Sequence, residues 1–279
     1  MKHVNFLMVA LLVMMSAMVT SCMNGEENTI VQGLQPMRVK SSYIGMSSSF
    51  VSGGIELIPT NSTLVDLPSE TKIALVAYKY DRALQEVNEN TKKLNVELWE
   101  KPQVIDAPLN ISEAKDAYND VVATHAISTM SFDGGFMVPY LMPVSKGALY
   151  ASSPAEYFLI APIGYRIQSL TDNDKLTAEL RKHAFTIVCY LDELEGTDLI
   201  LHLRHTIEKE ADDKEVDRIR EVSEYKAFDM TSAINAFKEE VGSYPTKVIV
   251  KSKENSNSNK LTDGSTREST YEVKLDIKE

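Results

Sequence analysis

Residues 182–207 constrain the fold more than any other stretch of the chain. In two runs of this stretch, residues 185–191 and 199–204, an apolar side chain occupies every second position. A period of two over β-branched and aromatic residues predicts two strands. The turn-forming segment at residues 192–198 is short enough to join these strands as an antiparallel hairpin. Each strand keeps one face apolar, which is typical of the core of a β-sandwich.

Composition and charge limit the classes of protein to which this chain can belong. The chain has 279 residues, of which 43% are hydrophobic and 25% charged, and this balance indicates a folded protein of one or two domains. The formal net charge is −11 at pH 7. Because such a surface repels phosphate backbones, we expect no nucleic-acid partner.

The N-terminal segment indicates export. Lys2 and His3 precede an apolar run at residues 6–19, which is too short for a comfortable membrane span, so residues 1–21 are interpreted as a signal peptide. The sequence Val19-Thr20-Ser21-Cys22 that closes it resembles the lipobox of bacterial lipoproteins, with Val19 in place of the usual leucine. The resemblance implies that Cys22 is acylated and anchors the protein to a membrane. An ordinary secretory signal with an incidental cysteine is the alternative.

Residues 22–35 are polar and aperiodic, which predicts a flexible tether. Glu26 and Glu27 in it resemble the surface-export signals of Bacteroidetes lipoproteins. We therefore expect a lipid-anchored protein of the bacterial cell envelope, in the outer membrane. It would lie either on the periplasmic face or on the cell surface. Of the two cysteines, Cys189 lies on the same strand face as Phe185 and Ile187, so it is interpreted as a buried side chain.

The predicted fold is mainly β, with a small OB-like barrel followed by a β-sandwich and one or two short helices. Four short strand-like runs separated by turns place the barrel at residues 36–108. Trp99 ends the last of these runs and is expected to pack within the barrel or to cover its end rather than to serve as a ligand platform.

A connecting helix is predicted at residues 109–123, from the helical spacing of its apolar side chains, and the sandwich at residues 124–279. Within the sandwich, residues 232–241 form a helix capped by Thr231 and ended by Gly242. Residues 208–226 are dense in charge, which predicts a solvent-facing helix or an insertion. Residues 247–251 and 271–277 form a final hairpin around a polar loop.

Three segments resemble the NigD-like lipoproteins of the Bacteroidetes across nearly the whole chain. They are the Gly-Gly-apolar-Pro segment at residues 53–61, the lysine-histidine strand with its leucine-rich partner at residues 182–205, and the aromatic-aspartate step at residues 225–229. Gly53 stands where that family has an acidic residue. The resemblance implies an OB-type domain followed by a sandwich, and an association with bacteriocin gene clusters, but no established activity.

We find no motif for a catalytic site, a cofactor or a metal. His202 and His205 are three residues apart on a strand, so they face opposite sides of the sheet and are interpreted as surface or strand-end residues. His183 could join either of them across the hairpin. The acidic residues at 172–174 lack the ordered ligand series of a calcium loop and are interpreted as a turn.

Two classes of function remain. The first is a lipid-anchored binding or structural module without enzymatic activity, which would bind an unknown envelope protein or a glycan. The alternative is an envelope hydrolase whose polar groups converge only in three dimensions. A pocket that gathers His125, His183 or His202 with carboxylates would favour the hydrolase.

Overall fold

A computed structural model describes residues 29–41, 48–115, 122–124, 129–130, 136–144, 156–208, 216–255 and 266–275. The chain divides into two compact units, Met1–Asp106 and Ala107–Glu279. Both are built mainly from strands, as the sequence predicts. Among the described helices, none is long and apolar enough to cross a membrane.

The first unit is a closed barrel of five strands. In chain order its strands are β1 (Ile30–Ser41), β2 (Ser48–Ser52), β3 (Ile55–Pro59), β4 (Ile73–Asp81) and β5 (Lys93–Leu98), and the short β6 (Gln103–Val104) joins β4. The order around the barrel is β1-β2-β3-β5-β4, and the antiparallel pairing of β1 with β4 closes it. Closure leaves none of the five strands as a free sheet edge, which is how small barrels avoid unpaired backbone groups.

The inward-facing side chains of the strands, which alternate with outward-facing ones, fill the interior of the barrel. In β5 the residues Leu94, Val96 and Leu98 are buried, while the residues between them are exposed. The same inward face continues on the other strands, and its fully buried members include Met37, Phe50, Ala74 and Val76. The predicted OB-like barrel is therefore confirmed at the level of fold class.

The predicted tether at residues 22–35 is wrong in its last part, because β1 already begins at Ile30. Val31 pairs with Tyr80 and Gln35 with Val76, so this segment is barrel wall. The strand is not predicted from residue propensities because Gly33 and Pro36 are both unfavourable in strands. Pro36 nevertheless lies opposite Leu75 in the register.

The described part of the second unit contains two larger sheets and one two-stranded sheet. Its strands, after β7 (Asp106–Ala107) at the division, are β8 (Leu109–Ser112), β9 (Thr129–Met130), β10 (Phe136–Met137), β11 (Tyr140–Val144), β12 (Glu156–Ile167), β13 (His183–Tyr190), β14 (Asp198–Ile207), β15 (Arg220–Asp229), β16 (Lys247–Glu254) and β17 (Arg267–Lys274). One sheet has the order β17-β16-β14-β13-β8, and the other contains β11-β12-β15. β9 and β10 pair with each other.

The predicted hairpin at residues 182–207 is confirmed. β13 and β14 pair antiparallel, with Ile187 opposite Leu203 and Phe185 opposite His205. Phe185, Ile187, Cys189, Leu201 and Leu203 lie in one buried cluster, together with side chains of β12 and β15 from the other sheet. The hydrophobic core of the sandwich therefore lies between these sheets.

Two predictions, the connecting helix at residues 109–123 and the solvent-facing helix or insertion at residues 208–226, are wrong in part. Residues 109–112 of the predicted connecting helix form β8, which adds a parallel strand to β13, while residues 116–121 lie outside the described part. The charged stretch at residues 208–226 contributes the first half of β15, which pairs antiparallel with β12 along its length. A strand next to a buried partner can carry charges on its solvated face, and helical spacing was a weak guide here.

The two described α-helices are α1 (Asn173–Lys182) and α2 (Thr231–Val241). The sequence predicts α2 and its end at Gly242, which has the left-handed φ of 84°. Asp229 rather than Thr231 supplies the start of α2, since its Oδ1 accepts hydrogen bonds from the Thr231 backbone and hydroxyl. The sequence argument missed α1 because Asp172, interpreted as a turn residue, is its N-cap and accepts from the Lys175 N–H.

Candidate functional site

Cys22, the predicted lipidation site, and His125 lie outside the described residues. Cys189 is buried on β13, as the sequence predicts. Burial, together with the charge of Glu193, raises the pKa of its thiol to about 11, which keeps it protonated and unreactive at neutral pH. In the described ranges, no group of three or more His, Cys, Asp or Glu side chains is placed to hold a metal ion.

His202 and His205 face opposite sides of β14, as alternation requires, but neither is a surface residue. Their exposed fractions are 5% and 2%. The interpretation of these two histidines as surface or strand-end residues is therefore wrong, because each is covered and paired with a different partner. Each contributes to a separate polar cluster.

The inner cluster joins β13, β14 and α1. His183 Nδ1 lies 2.9 Å from His205 Nε2, which is a hydrogen bond between the two rings. His183 Nε2 lies 3.6 Å from Glu179 Oε1, one helical turn earlier, and Glu179 is only 1% exposed. Tyr165 of β12 packs against both imidazoles, with ring centroids 4.8 Å from His183 and 5.7 Å from His205. Two sheets and a helix therefore meet at this cluster.

Glu179 is satisfied by several donors at once. Arg218 Nε donates to Oε1 at 2.8 Å, and Gln168 donates through its backbone at 3.3 Å and through its side chain at 3.1 Å. Lys182 Nζ lies 3.5 Å from Oε2. Burial opposes ionisation, but Arg218 and the hydrogen bonds outweigh it and hold the pKa of Glu179 below its usual value.

The two histidines of the inner cluster are neutral. Burial lowers the pKa of His183 to about 4, although Glu179 partly opposes this change. Burial, followed by the charge of His183, lowers the pKa of His205 to about 3. Both values lie well below the neutral range, so the cluster combines an ionised Glu179–Arg218 pair with an uncharged histidine pair.

The outer cluster lies on the opposite face of the same hairpin. His202 Nε2 donates to Glu193 Oε2, and Lys115 Nζ lies 3.0 Å from Glu193 Oε1. The ring of Tyr190 packs edge-on to His202, with centroids 5.1 Å apart. Burial lowers the pKa of His202, whereas the bonds from His202 and Lys115 overcome burial and lower the pKa of Glu193. Both carboxylate oxygens of Glu193 are therefore engaged.

Histidines do meet carboxylates in this protein, in an arrangement that suits structural support. A general base must reach a substrate proton and titrate near the working pH. His183 and His202 are buried, and their partners Glu179 and Glu193 are already held by cations. Sequence reasoning missed Glu179 because α1 was not predicted; with that helix known, its i,i+4 spacing to His183 would have indicated the pair.

The barrel contains a small apolar cavity of about 40 Å³, lined in part by Gln35, Tyr78 and Tyr80. Gln35 Nε2 donates to the Tyr78 hydroxyl at 3.1 Å, and burial raises the pKa of Tyr78 to about 12. The Tyr78 ring lies over the backbone of Gly33, where an added Cβ would come within 2.6 Å of it. Ligand pockets are roughly tenfold larger than this cavity, so it is a packing gap.

The outer surface of the barrel carries a second feature, two adjacent rows of side chains across β1, β4 and β5. Leu34 pairs with Ala77, and the Trp99 backbone N–H donates to the Ala77 carbonyl at 3.3 Å. The second row lies two residues further along β4, where Lys79 pairs with Gln32 on one side and with Glu97 on the other. We call this surface the Trp99 face, comprising Gln32, Leu34, Ala77, Lys79, Glu97 and Trp99.

The expectation that Trp99 packs within the barrel or covers its end is wrong. Leu98 is buried inside, so the next side chain points outward by strand alternation, and Trp99 is 47% exposed. The signal was present in the sequence, because Trp99 alternates in phase with Asn95 and Glu97.

The fold and these clusters define a two-unit β protein, with a closed barrel and a sandwich stiffened by buried polar pairs. No family model matches the chain, and no curated protein does. Among solved structures, it is similar to a candidate lipoprotein from Bacteroides fragilis, with a TM-score of 0.71 and 25% identity over 89% of this chain and 100% of that one.

Two further solved structures share less. A protein of unknown function from Bacteroides vulgatus has a TM-score of 0.47 and 12% identity, over 88% of this chain and 91% of its own. An uncharacterized protein from Parabacteroides merdae has a TM-score of 0.48 and 11% identity, over 88% of this chain and 99% of its own.

Proposed function

We propose that this protein is a lipid-anchored component of the bacterial cell envelope, held through Cys22, which acts as a binding or structural module and catalyses no reaction. The observation that carries the proposal is the similarity to the Bacteroides fragilis candidate lipoprotein, which extends over the whole of that chain. The lipobox-like sequence at residues 19–22 supports it independently. A lipid on Cys22 would anchor the chain without a transmembrane helix.

The finer parts of the proposal concern place and partner. The acidic residues behind Cys22 support the outer membrane as the destination. The resemblance to NigD-like lipoproteins would link the protein to bacteriocin gene clusters. Its partner would be another envelope protein or a glycan, and the net charge of −11 argues against nucleic acid.

The alternative function is an envelope hydrolase. The observation that favours it is the His202–Glu193 pair, since a histidine bonded to a carboxylate is the usual orientation of a general base. The burial of His202 and the engagement of Glu193 by Lys115 favour the binding module instead. A broad screen for hydrolysis of esters, peptides and glycosides tests the alternative, and turnover that is lost in His202→Gln would establish it.

Metabolic labelling with a fatty acid tests the anchor. The native protein should take up label and sediment with membranes, whereas Cys22→Ser should do neither. Cys189→Ala is the matched control, because it removes the other cysteine and should keep the label. Label on the Cys22→Ser protein, or a native protein recovered in the soluble fraction, would overturn the anchoring proposal.

A further inference from the structure

The Trp99 face exposes two large apolar side chains next to each other on one row. Leu34 is 54% exposed and Trp99 is 47% exposed, and between them on the same row lies Ala77, which is covered and only 6% exposed. Neighbouring strands are about 4.8 Å apart, so the row that crosses three strands is about 10 Å long. Two large apolar side chains held side by side on a rigid sheet offer a small contact surface to another molecule.

The neighbouring row is polar and electrically balanced. Lys79 Nζ lies 3.2 Å from Glu97 Oε1, and Gln32, the cross-strand partner of Lys79, adds an exposed amide. The row therefore offers both hydrogen-bond donors and acceptors with no net charge. Because these side chains stand on paired strands, their spacing is fixed before any ligand arrives.

These two rows identify the chemistry of the occupant. A purely apolar partner, such as an acyl chain or a hydrophobic helix, would cover Lys79 and Glu97 and leave them without hydrogen-bonding water. An anionic polymer would meet a neutral row on a chain of net charge −11. A neutral sugar avoids both costs, because its ring has an apolar C–H face and its hydroxyl groups lie around the rim.

We propose that the Trp99 face binds a neutral glycan. The Trp99 indole stacks on the C–H face of a pyranose ring, whose slightly positive hydrogens meet the negative face of the indole. Leu34 supports a neighbouring ring, while Lys79, Glu97 and Gln32 exchange hydrogen bonds with the hydroxyl groups. This inference rests on the proposed function as a binding module, and it names the class of partner and the surface that holds it.

The chain itself supplies the probe, because Trp99 is its single tryptophan. The full chain in mild detergent is titrated with neutral oligosaccharides of glucose, xylose and mannose while tryptophan emission is recorded. At least one series should shift or quench the emission in a saturable way. A flat response to every series would overturn the glycan proposal, while the fatty-acid labelling of Cys22 would still report separately on the anchor.

Variants test the face itself, with binding followed by calorimetry. Trp99→Ala should weaken binding of the responding sugar about tenfold or more, as loss of a central aromatic contact does, and Trp99→Phe should retain part of it. Glu97→Gln should weaken binding by a smaller factor. Leu84→Ala is the control, because Leu84 is 81% exposed and lies outside the Trp99 face, and it should bind as the native protein does.

Three other results would contradict the proposal. Equal affinity in native and Trp99→Ala proteins would place the sugar elsewhere. A dimer that dissociates only in Trp99→Ala, seen by light scattering, would make the face an interface between two copies of this chain. Saturable binding of heparin or DNA at the same face would replace the neutral glycan with an anionic polymer.

Discussion

His183 Nδ1 and His205 Nε2 lie 2.9 Å apart in the interior of the sandwich, and their rings stack at an interplanar angle of 23°. A single hydrogen bond of this kind requires one ring nitrogen to carry a proton and the other to accept it. Full protonation of both rings would place two N–H groups against each other. The pair is therefore compatible with the fold only while at least one histidine remains neutral.

This relationship predicts that the sandwich loses stability in mild acid. The pKa of His183 falls from 6.5 to about 4 and that of His205 to about 3 on folding, mainly through burial. The unfolded chain then binds more protons than the folded chain below pH 6.5, so stability is full above that pH and falls as the pH drops toward 4. Urea unfolding from pH 8 to pH 4 measures the effect.

The matched variant for this pH dependence is His205→Phe, which keeps an aromatic ring beside Phe185 and removes one titrating group. It should flatten the decline between pH 6.5 and pH 4. An unchanged pH profile in His205→Phe would show that other groups cause the acid instability.

Glu179→Gln should destabilise the protein by about 3 kcal/mol, because it removes the carboxylate, only 1% exposed, from its ion pair with Arg218. Chemical denaturation at pH 7 measures the change. Asp66→Asn is the control, since its pair with Lys101 is exposed to solvent and should contribute nothing measurable. Equal stability of Glu179→Gln and the native protein would mean that Arg218 reaches water on its own.

The parts of the fold that the sequence predicted correctly are those with strict local periodicity. The β13–β14 hairpin and the alternation of Leu94, Val96 and Leu98 could be read directly, because burial of one face imposes a period of two. β15 and α1 were missed for the opposite reason. Their charged residues pair with partners distant in the chain, such as Glu179 of α1 with Arg218 and Glu221 of β15 with Arg166, and no local pattern encodes such a partner.

The candidate sites could be predicted in part. Alternation already separated His202 from His205, and it permitted the contact of His183 with either of them. It could not show the burial of His183 and His205, which comes from the packing of β12 and α1 over one face of the hairpin. For Trp99 the outward phase was visible, but residue type was allowed to outweigh phase, and that choice was wrong.

Leu201→Ala should cost about 2 to 5 kcal/mol, because Leu201 is fully buried between the two sheets and its removal leaves a cavity. Equilibrium unfolding in urea is the measurement. Leu84→Ala, at an exposed position of the barrel, should change stability by less than about 0.5 kcal/mol. A loss no larger than that control would mean that this face of β14 is not core.

Gly33→Ala should destabilise the barrel by about 1 to 3 kcal/mol, as inserting a methyl group against a side chain that already occupies the position does. The new Cβ would lie 2.6 Å from the Tyr78 ring, which must move and give up its bond from Gln35. Tyr78→Leu removes the obstructing ring, so the Gly33→Ala change should cost much less in that background than in the native one. Unfolding free energies of the native protein, both single variants and the double variant complete the cycle. Strictly additive losses of unfolding free energy would show that the Tyr78 ring is not what opposes a side chain at position 33.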